Sequence, residues 1–175
     1  MSTTTTTSPP PLDEAVLDAL REVFHAARQG DAAHIAPLLK AGLPPNLRND
    51  KGDTLLMLAA YHCHAPVVQL LLDHGADAEL RNDKGQSPLG AAAFKGAQDV
   101  VELLLSHGAQ VDATGADGRT ALMFAAMFNR TAMVQRLLQA GADPGRRDAA
   151  GMTAGELAEK MGAGETAGLL APNAA

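Results

Sequence analysis

The sequence predicts an all-α solenoid of stacked helix-turn-helix units with protruding β-turn fingers, and three observations carry that expectation. The chain repeats itself every 33 residues: Asp50 to Asn82 and Asp83 to Gly115 align without a gap at 14 of 33 identical positions, and Ala116 to Asp148 keeps the register. Gly52, Gly85, Gly118 and Gly151 recur at that spacing beside short polar residues, which marks a tight turn where a residue takes positive φ. Each such turn is followed by a hydroxyl residue and then by two apolar runs of helical character with a second turn between them.

The elements follow in order. Thr54, Ser87, Thr120 or Thr153 comes after the glycine turn, and its side-chain oxygen can accept from the free amides of a starting helix. Pro88, directly after Ser87, stands at the favoured first helical position. The first helix is short, carries Ala59-Ala60, Ala92-Ala93 or Ala125-Ala126, and ends near Gly30, Gly96 and Gly162. Its small alanines let neighbouring helices approach closely. The second helix carries Val67-Val68 with Leu70-Leu71-Leu72, then Val100-Val101 with Leu103-Leu104-Leu105, apolar nearly all round as packing on both sides requires. It closes at Gly75, Gly108 and Gly141, with His74 and His107 placed to shield the last carbonyls.

A degenerate first copy is marked by Ala26-Ala27 and Gly42, one period before Ala59-Ala60 and Gly75. The repeat domain is therefore expected over 12–171, with an N-terminal capping unit 12–49, full repeats 50–82, 83–115 and 116–148, and a C-terminal capping unit 149–171. A Thr/Pro-rich disordered tail, 1–11, and a short tail, 172–175, flank it. Pro37 falls inside the second helix of the first unit and is expected to bend or interrupt it.

Composition narrows the function classes. Hydrophobic residues make up 46% of 175, aromatics only 3%, and Trp is absent, so the core must be built from Leu, Val, Ala and Met. A formal net charge of -6, without a dense Lys/Arg run, argues against a nucleic-acid partner. One cysteine cannot form an internal disulfide, the N-terminus has neither a charged n-region nor an apolar h-region, and no stretch of 18 consecutive apolar residues occurs. The expectation is a cytoplasmic protein with no membrane partner.

Turn, Thr cap, "LAA"-type first helix, apolar second helix and "HGAD" at a 33-residue period closely resemble the ankyrin repeat, over residues 12 to 171. The resemblance implies a protein-binding module whose first helices and fingers border a concave groove. It is not complete: the family's "TPLHxAA" reads "TLLMLAA", "SPLGAAA" and "TALMFAA" here, so the turn hydrogen bonds of the missing histidine must be replaced or lost.

"YHCHAP", residues 61 to 66, invites a different reading, because Cys63 between His62 and His64 offers the sulfur and imidazole ligands of a zinc or copper site. In register it aligns with "RQGDAA", "FKGAQD" and "MFNRTA", the turn between the two helices of a unit, where Cys63 takes the place of Gly30 and Gly96. Neighbours in a tight turn tend to diverge, and no other Cys or His stands one period away to complete a tetrahedron. Nor does the chain contain a G-x-x-x-x-G-K-[ST], G-x-S-x-G or H-E-x-x-H motif. No metal, no cofactor and no catalytic residue are expected; a metal-dependent or catalytic protein centred on His62, Cys63 and His64 is the alternative.

The resemblance places the two positions before that turn on the concave face. Down the units they read Arg28-Gln29, Tyr61-His62, Phe94-Lys95, Met127-Phe128 and Lys160-Met161, which gathers three of the five aromatics. The candidate partner-binding residues are therefore Tyr61, His62, Phe94, Lys95, Met127 and Phe128, since aromatic and Met side chains on one face suit the centre of an interface. The competing reading has them half buried against the fingers or the adjacent helix. A polar rim is expected from the turn tips: Asp50, Lys51 and Asp53, then Asp83, Lys84 and Gln86, then Asp117 and Arg119. Arg81 joins them, recurring with Arg48 and Arg147 at unit ends. The functional expectation is a monomer that binds one protein partner, as regulator or inhibitor of a co-expressed enzyme, with a general scaffold as a weaker alternative.

Overall fold

The computed structural model describes residues 13–171, and within them ten helices alternate between two layers. The inner layer consists of α1 (Glu14–Gln29), α3 (Leu55–Tyr61), α5 (Pro88–Lys95), α7 (Ala121–Met127) and α9 (Ala154–Lys160). The outer layer consists of α2 (Ala32–Lys40), α4 (Ala65–Asp73), α6 (Gln98–Ser106), α8 (Thr131–Gln139) and α10 (Gly164–Leu170). Inner helices stack in chain order, α1 on α3 and so on to α9, and each outer helix packs on its own inner partner. The tails 1–11 and 172–175 lie outside the described residues, as does the first residue of the expected repeat domain.

Why the helices start where they do is visible in their caps. Thr54 Oγ1 accepts from the Met57 amide at 3.0 Å, Ser87 Oγ from Gly90 at 3.1 Å and Thr120 Oγ1 from Met123 at 3.3 Å. Thr153 and Glu156 form a reciprocal capping box. Each cap is worth about 1 kcal/mol. The alanine pairs then do what their size allows: Ala59, Ala60, Ala92, Ala93, Ala125 and Ala126 are all fully buried between successive inner helices. At the outer-helix ends the ring nitrogens Nδ1 of His74 and His107 donate to the carbonyls of Leu70 and Leu103, each at 2.8 Å.

The fingers are turns rather than strands, with one isolated antiparallel bridge, Arg48 to Thr54, among the described residues. Gly52, Gly85, Gly118 and Gly151 take φ of 71, 72, 73 and 79°. Three of the fingers are closed by the side chain of the residue that opens them. Asn49 Oδ1 accepts from the amides of Lys51 and Asp53, both at 2.9 Å, and Asn82 Oδ1 from Lys84 at 3.1 Å and Gln86 at 2.9 Å. Asp148 does the same for Ala150 and Met152. Gly115 has no side chain to offer, and Asp117 Oδ1 accepts from the Arg119 amide at 3.1 Å instead.

Successive units are also stitched through the loops after the outer helices. The side chains of Asn46, Glu79 and Asp112 accept from the amides of Asp77, Gln110 and Asp143 at 2.9, 2.9 and 3.1 Å.

Two features of the first unit stand apart. α1 has 16 residues where the other inner helices have seven or eight, and its start, Asp13 to Asp18, is exposed. Pro37 does not interrupt α2, which runs for nine residues like α4, α6 and α8. Pro37 and Ala33, the residue whose carbonyl loses its donor, are both exposed, so water can satisfy the freed group.

Candidate functional site

The C-terminal ends of the short inner helices α3, α5 and α7 bring their residues to a common edge. Tyr61 ends α3, Phe94 is the penultimate residue of α5, and Met127 and Phe128 lie at the end of α7. The rings form a continuous row. Tyr61 and Phe94 stack with centroids 6.4 Å apart and planes 12° from parallel, and Phe94 meets Phe128 edge-on at 4.7 Å and 82°. Lys95 Nζ lies 5.0 Å from the Tyr61 ring centroid. The two ends of the row keep much of their surface, Tyr61 at 39% exposed and Phe128 at 41%, while Phe94 and Met127 are half-buried.

Beside this row lies a hollow of about 420 Å³ between the fingers of the third and fourth units. Its floor includes Tyr61, Phe94 and Phe124, and its walls are the segments 84–87 and 115–119 apart from Gly118. Phe124 escaped the sequence reading. It occupies the position before the alanine pair, where the two preceding units carry Leu58 and Ala91, and a bulky ring there was the available signal. Its ring lies beside Gly90, where a Cβ would stand 3.5 Å from Phe124 Cε2, an ordinary contact distance.

The polar candidates divide into two groups. Lys84, Gln86, Asp117 and Arg119 border the hollow. Asp50, Lys51, Asp53, Asp83 and Arg81 do not, and some of them serve the stack: Asp53 Oδ1 accepts from Asn82 Nδ2 at 2.8 Å, the Lys51 carbonyl from the Asp83 amide at 3.1 Å, and the Arg81 carbonyl from Arg48 Nη1 at 3.0 Å. Arg119 stands between two carboxylates, with Nη1 3.5 Å from Asp117 Oδ2 and Nε 3.5 Å from Asp148 Oδ2.

In the His62, Cys63, His64 turn each side chain has surroundings of its own. Cys63 is exposed at φ 62°, in the glycine-like conformation of its counterparts Gly30 and Gly96. His64 donates through Nε2 to the Arg28 carbonyl at 2.8 Å, and its ring lies 6.2 Å from that of His62. Among the described residues, no group of three or more His, Cys, Asp and Glu is placed to hold a metal ion. Burial, followed by His64, Lys95 and Arg28, pushes the His62 pKa below its ordinary value.

A stack of capped helix pairs bordering an open groove with fingers on one side defines an interaction solenoid. Ankyrin repeats (3 copies) match residues 23–115 and a further ankyrin repeat matches 117–149, so the chain belongs to the ankyrin repeat family. It is also 52% identical, over 61 residues, to an ankyrin repeat protein of Pseudomonas aeruginosa; the match covers 35% of this chain and 36% of that relative. Ankyrin repeats generally mediate protein–protein interaction. No helix among the described residues is long and apolar enough to cross a membrane.

Proposed function

We propose that this chain, as a monomer, holds a protein partner in the groove between its inner helices and fingers and acts through that contact rather than through catalysis. The observation that carries the reading is the row of Tyr61, Phe94 and Phe128, exposed at both ends in a chain with only five aromatic residues. Rigid aromatic side chains beside a hollow are the usual anchors of an interface. Stacked units supply a pre-ordered surface comfortably larger than the roughly 800 Å² per partner of a standard interface. Such a surface suits occlusion of another protein's working face, which favours a regulator or inhibitor of an enzyme made alongside it.

The test is affinity capture from a native cell extract with the wild-type chain and a Tyr61→Ser, Phe128→Glu variant of matched circular dichroism. A protein retained by the first and lost from the second supports the groove. Identical captures would sink it.

A further inference from the structure

From the second unit to the fifth, successive units are bonded in the outer layer and, with one exception, at the fingers. The second and third fingers are joined by the Asp83 amide, which donates to the Lys51 carbonyl at 3.1 Å, and by Asn82 Nδ2, which donates to Asp53 Oδ1 at 2.8 Å. The fourth and fifth are joined by the Ala149 amide, which donates to the Asp117 carbonyl at 2.9 Å, and by Arg119 facing Asp148 at 3.5 Å. Between the third and fourth, 82–86 and 115–119, no hydrogen bond or ion pair is formed among the described residues, and the backbone counterpart, Ala116 amide to Lys84 carbonyl, is missing as well.

Gly115 accounts for the missing side-chain bond. It stands where Asn82 and Asp148 open their fingers, and those two supply the side-chain contacts across to the finger before. Without a side chain, position 115 offers Gln86, the counterpart of Asp53, nothing to bond. The two fingers still touch, since Ala116 lies so close over Gly85 that a Cβ on that glycine would have no room. On its outer side the same junction is tied: Arg136 makes paired bonds to Glu102, with Nη2 to Oε2 at 2.7 Å, and Asp112 Oδ1 accepts from the Asp143 amide at 3.1 Å. The hollow of about 420 Å³ lies at this junction, lined by both fingers.

We propose that the finger row parts at this junction: the second and third units move as one body and the fourth and fifth as another, about the Glu102–Arg136 and Asp112–Asp143 contacts, so that the hollow widens and narrows. A junction tied on one side and merely touching on the other is the arrangement of a hinge. What crosses it on the inner side is apolar, Phe94 against Phe128 and Phe124 beside Gly90. Such contacts survive a change of angle, because the hydrophobic effect is non-directional whereas a hydrogen bond weakens steeply off line. The motion is a property of the fingers themselves and stands whether or not a partner is held in the groove.

The experiment measures distance distributions between paired spin labels on the full chain in a Cys63→Gly background, where the introduced thiols are the only ones. Lys51→Cys with Lys84→Cys spans the bonded second and third fingers, and Lys84→Cys with Ala150→Cys spans the proposed opening. The second distribution should be about twice as wide as the first or more. Gly115→Asn, which copies Asn82, should narrow it, and Asn82→Gly, which copies Gly115, should broaden the first. Comparable widths without either substitution overturn the hinge, and that comparison needs no change at position 115. A wide second distribution that Gly115→Asn leaves unchanged in a folded chain, or a first that Asn82→Gly leaves unchanged, overturns it too, because the opening side chain would then not be what holds neighbouring fingers together.

Discussion

His64 donates from Nε2 to the backbone carbonyl of Arg28 at 2.8 Å, so the last turn of one unit's inner helix is closed by a side chain from the next. The ring lies directly over Gly30: a Cβ there would fall 2.6 Å from His64 Nδ1. At the other end of the stack Thr166 Oγ1 plays the corresponding part, donating to the Ala126 carbonyl at 2.7 Å. A stretch that reads as metal ligands is thus partly a latch between units.

His64→Ala should lower stability by about 1 kcal/mol, the net worth of a partly buried hydrogen bond. Gly30→Ala should cost about 1–3 kcal/mol, because φ is +77° and the new methyl meets the imidazole. The two effects are coupled. In a His64→Ala background the clash disappears, so Gly30→Ala must cost less there than alone when urea midpoints are compared; strict additivity would remove the latch.

Cys63 and Asn129 occupy the same place in successive turns, at φ 62° and 53°, yet glycine should affect them oppositely. Cys63→Gly relieves an L-residue in left-handed backbone and is expected to stabilise by about 0.5–1 kcal/mol. Asn129 tolerates that conformation, and its Oδ1 accepts from the Thr166 amide at 3.2 Å. Asn129→Gly forfeits that bond and should destabilise. Thermal melts of the two variants moving in the same direction would contradict this account.

The period is legible in the sequence because each unit repeats one physical solution, a glycine at positive φ, a hydroxyl cap and a pair of alanines. Contacts between units are not, since Asn46, Glu79 and Asp112 do the same work with different side chains and hide from any comparison by identity. Pro37 leaves α2 uninterrupted in a place where Pro37 and Ala33 are both open to water, which can satisfy the freed carbonyl. In the groove, Tyr61, Phe94 and Phe128 emerge from register together with the face that the family resemblance assigns to those positions. Phe124 does not, because it sits one helical turn earlier inside "LMFAA", among residues that look like core. Asp50, Lys51 and Asp83 stand out as turn-tip charges, but the hollow lies against Lys84, Gln86, Asp117 and Arg119.

Asp148 should carry an acid-sensitive share of stability. Its side chain is 3% exposed, and Oδ1 accepts from the amides of Ala150 and Met152, each at 2.9 Å. The Met152 amide above all, then the Ala150 amide and Arg119, outweigh burial and hold this carboxyl below the ordinary Asp range. The unfolded chain therefore takes up the proton first as pH falls. The contribution is whole above the unfolded value of about 4 and is lost as pH descends through the lower folded value. Asp148→Asn, which copies Asn49 and Asn82, keeps an acceptor for both amides and removes the titration. Below about pH 4 the wild-type urea midpoint should fall more steeply than the variant's; parallel curves would show that this carboxylate is not responsible.

The aromatic row allows stability and binding to be separated. Phe94 is half-buried and touches a ring on each side, so Phe94→Ala removes two contacts at once and should cost about 1.5–3 kcal/mol, less than the 3–5 of a fully buried ring. Phe128 keeps 41% of its surface and touches one ring of the row, so Phe128→Ser should cost under about 1.5 kcal/mol. Partner capture should nonetheless fall in both, because an anchor at the end of the row is worth most when a second protein covers it. Calorimetry and capture on the two variants decide the matter together. If Phe128→Ser destabilises as much as Phe94→Ala while capture survives, the ring belongs to the packing of the stack, and the working face must be sought beyond this groove.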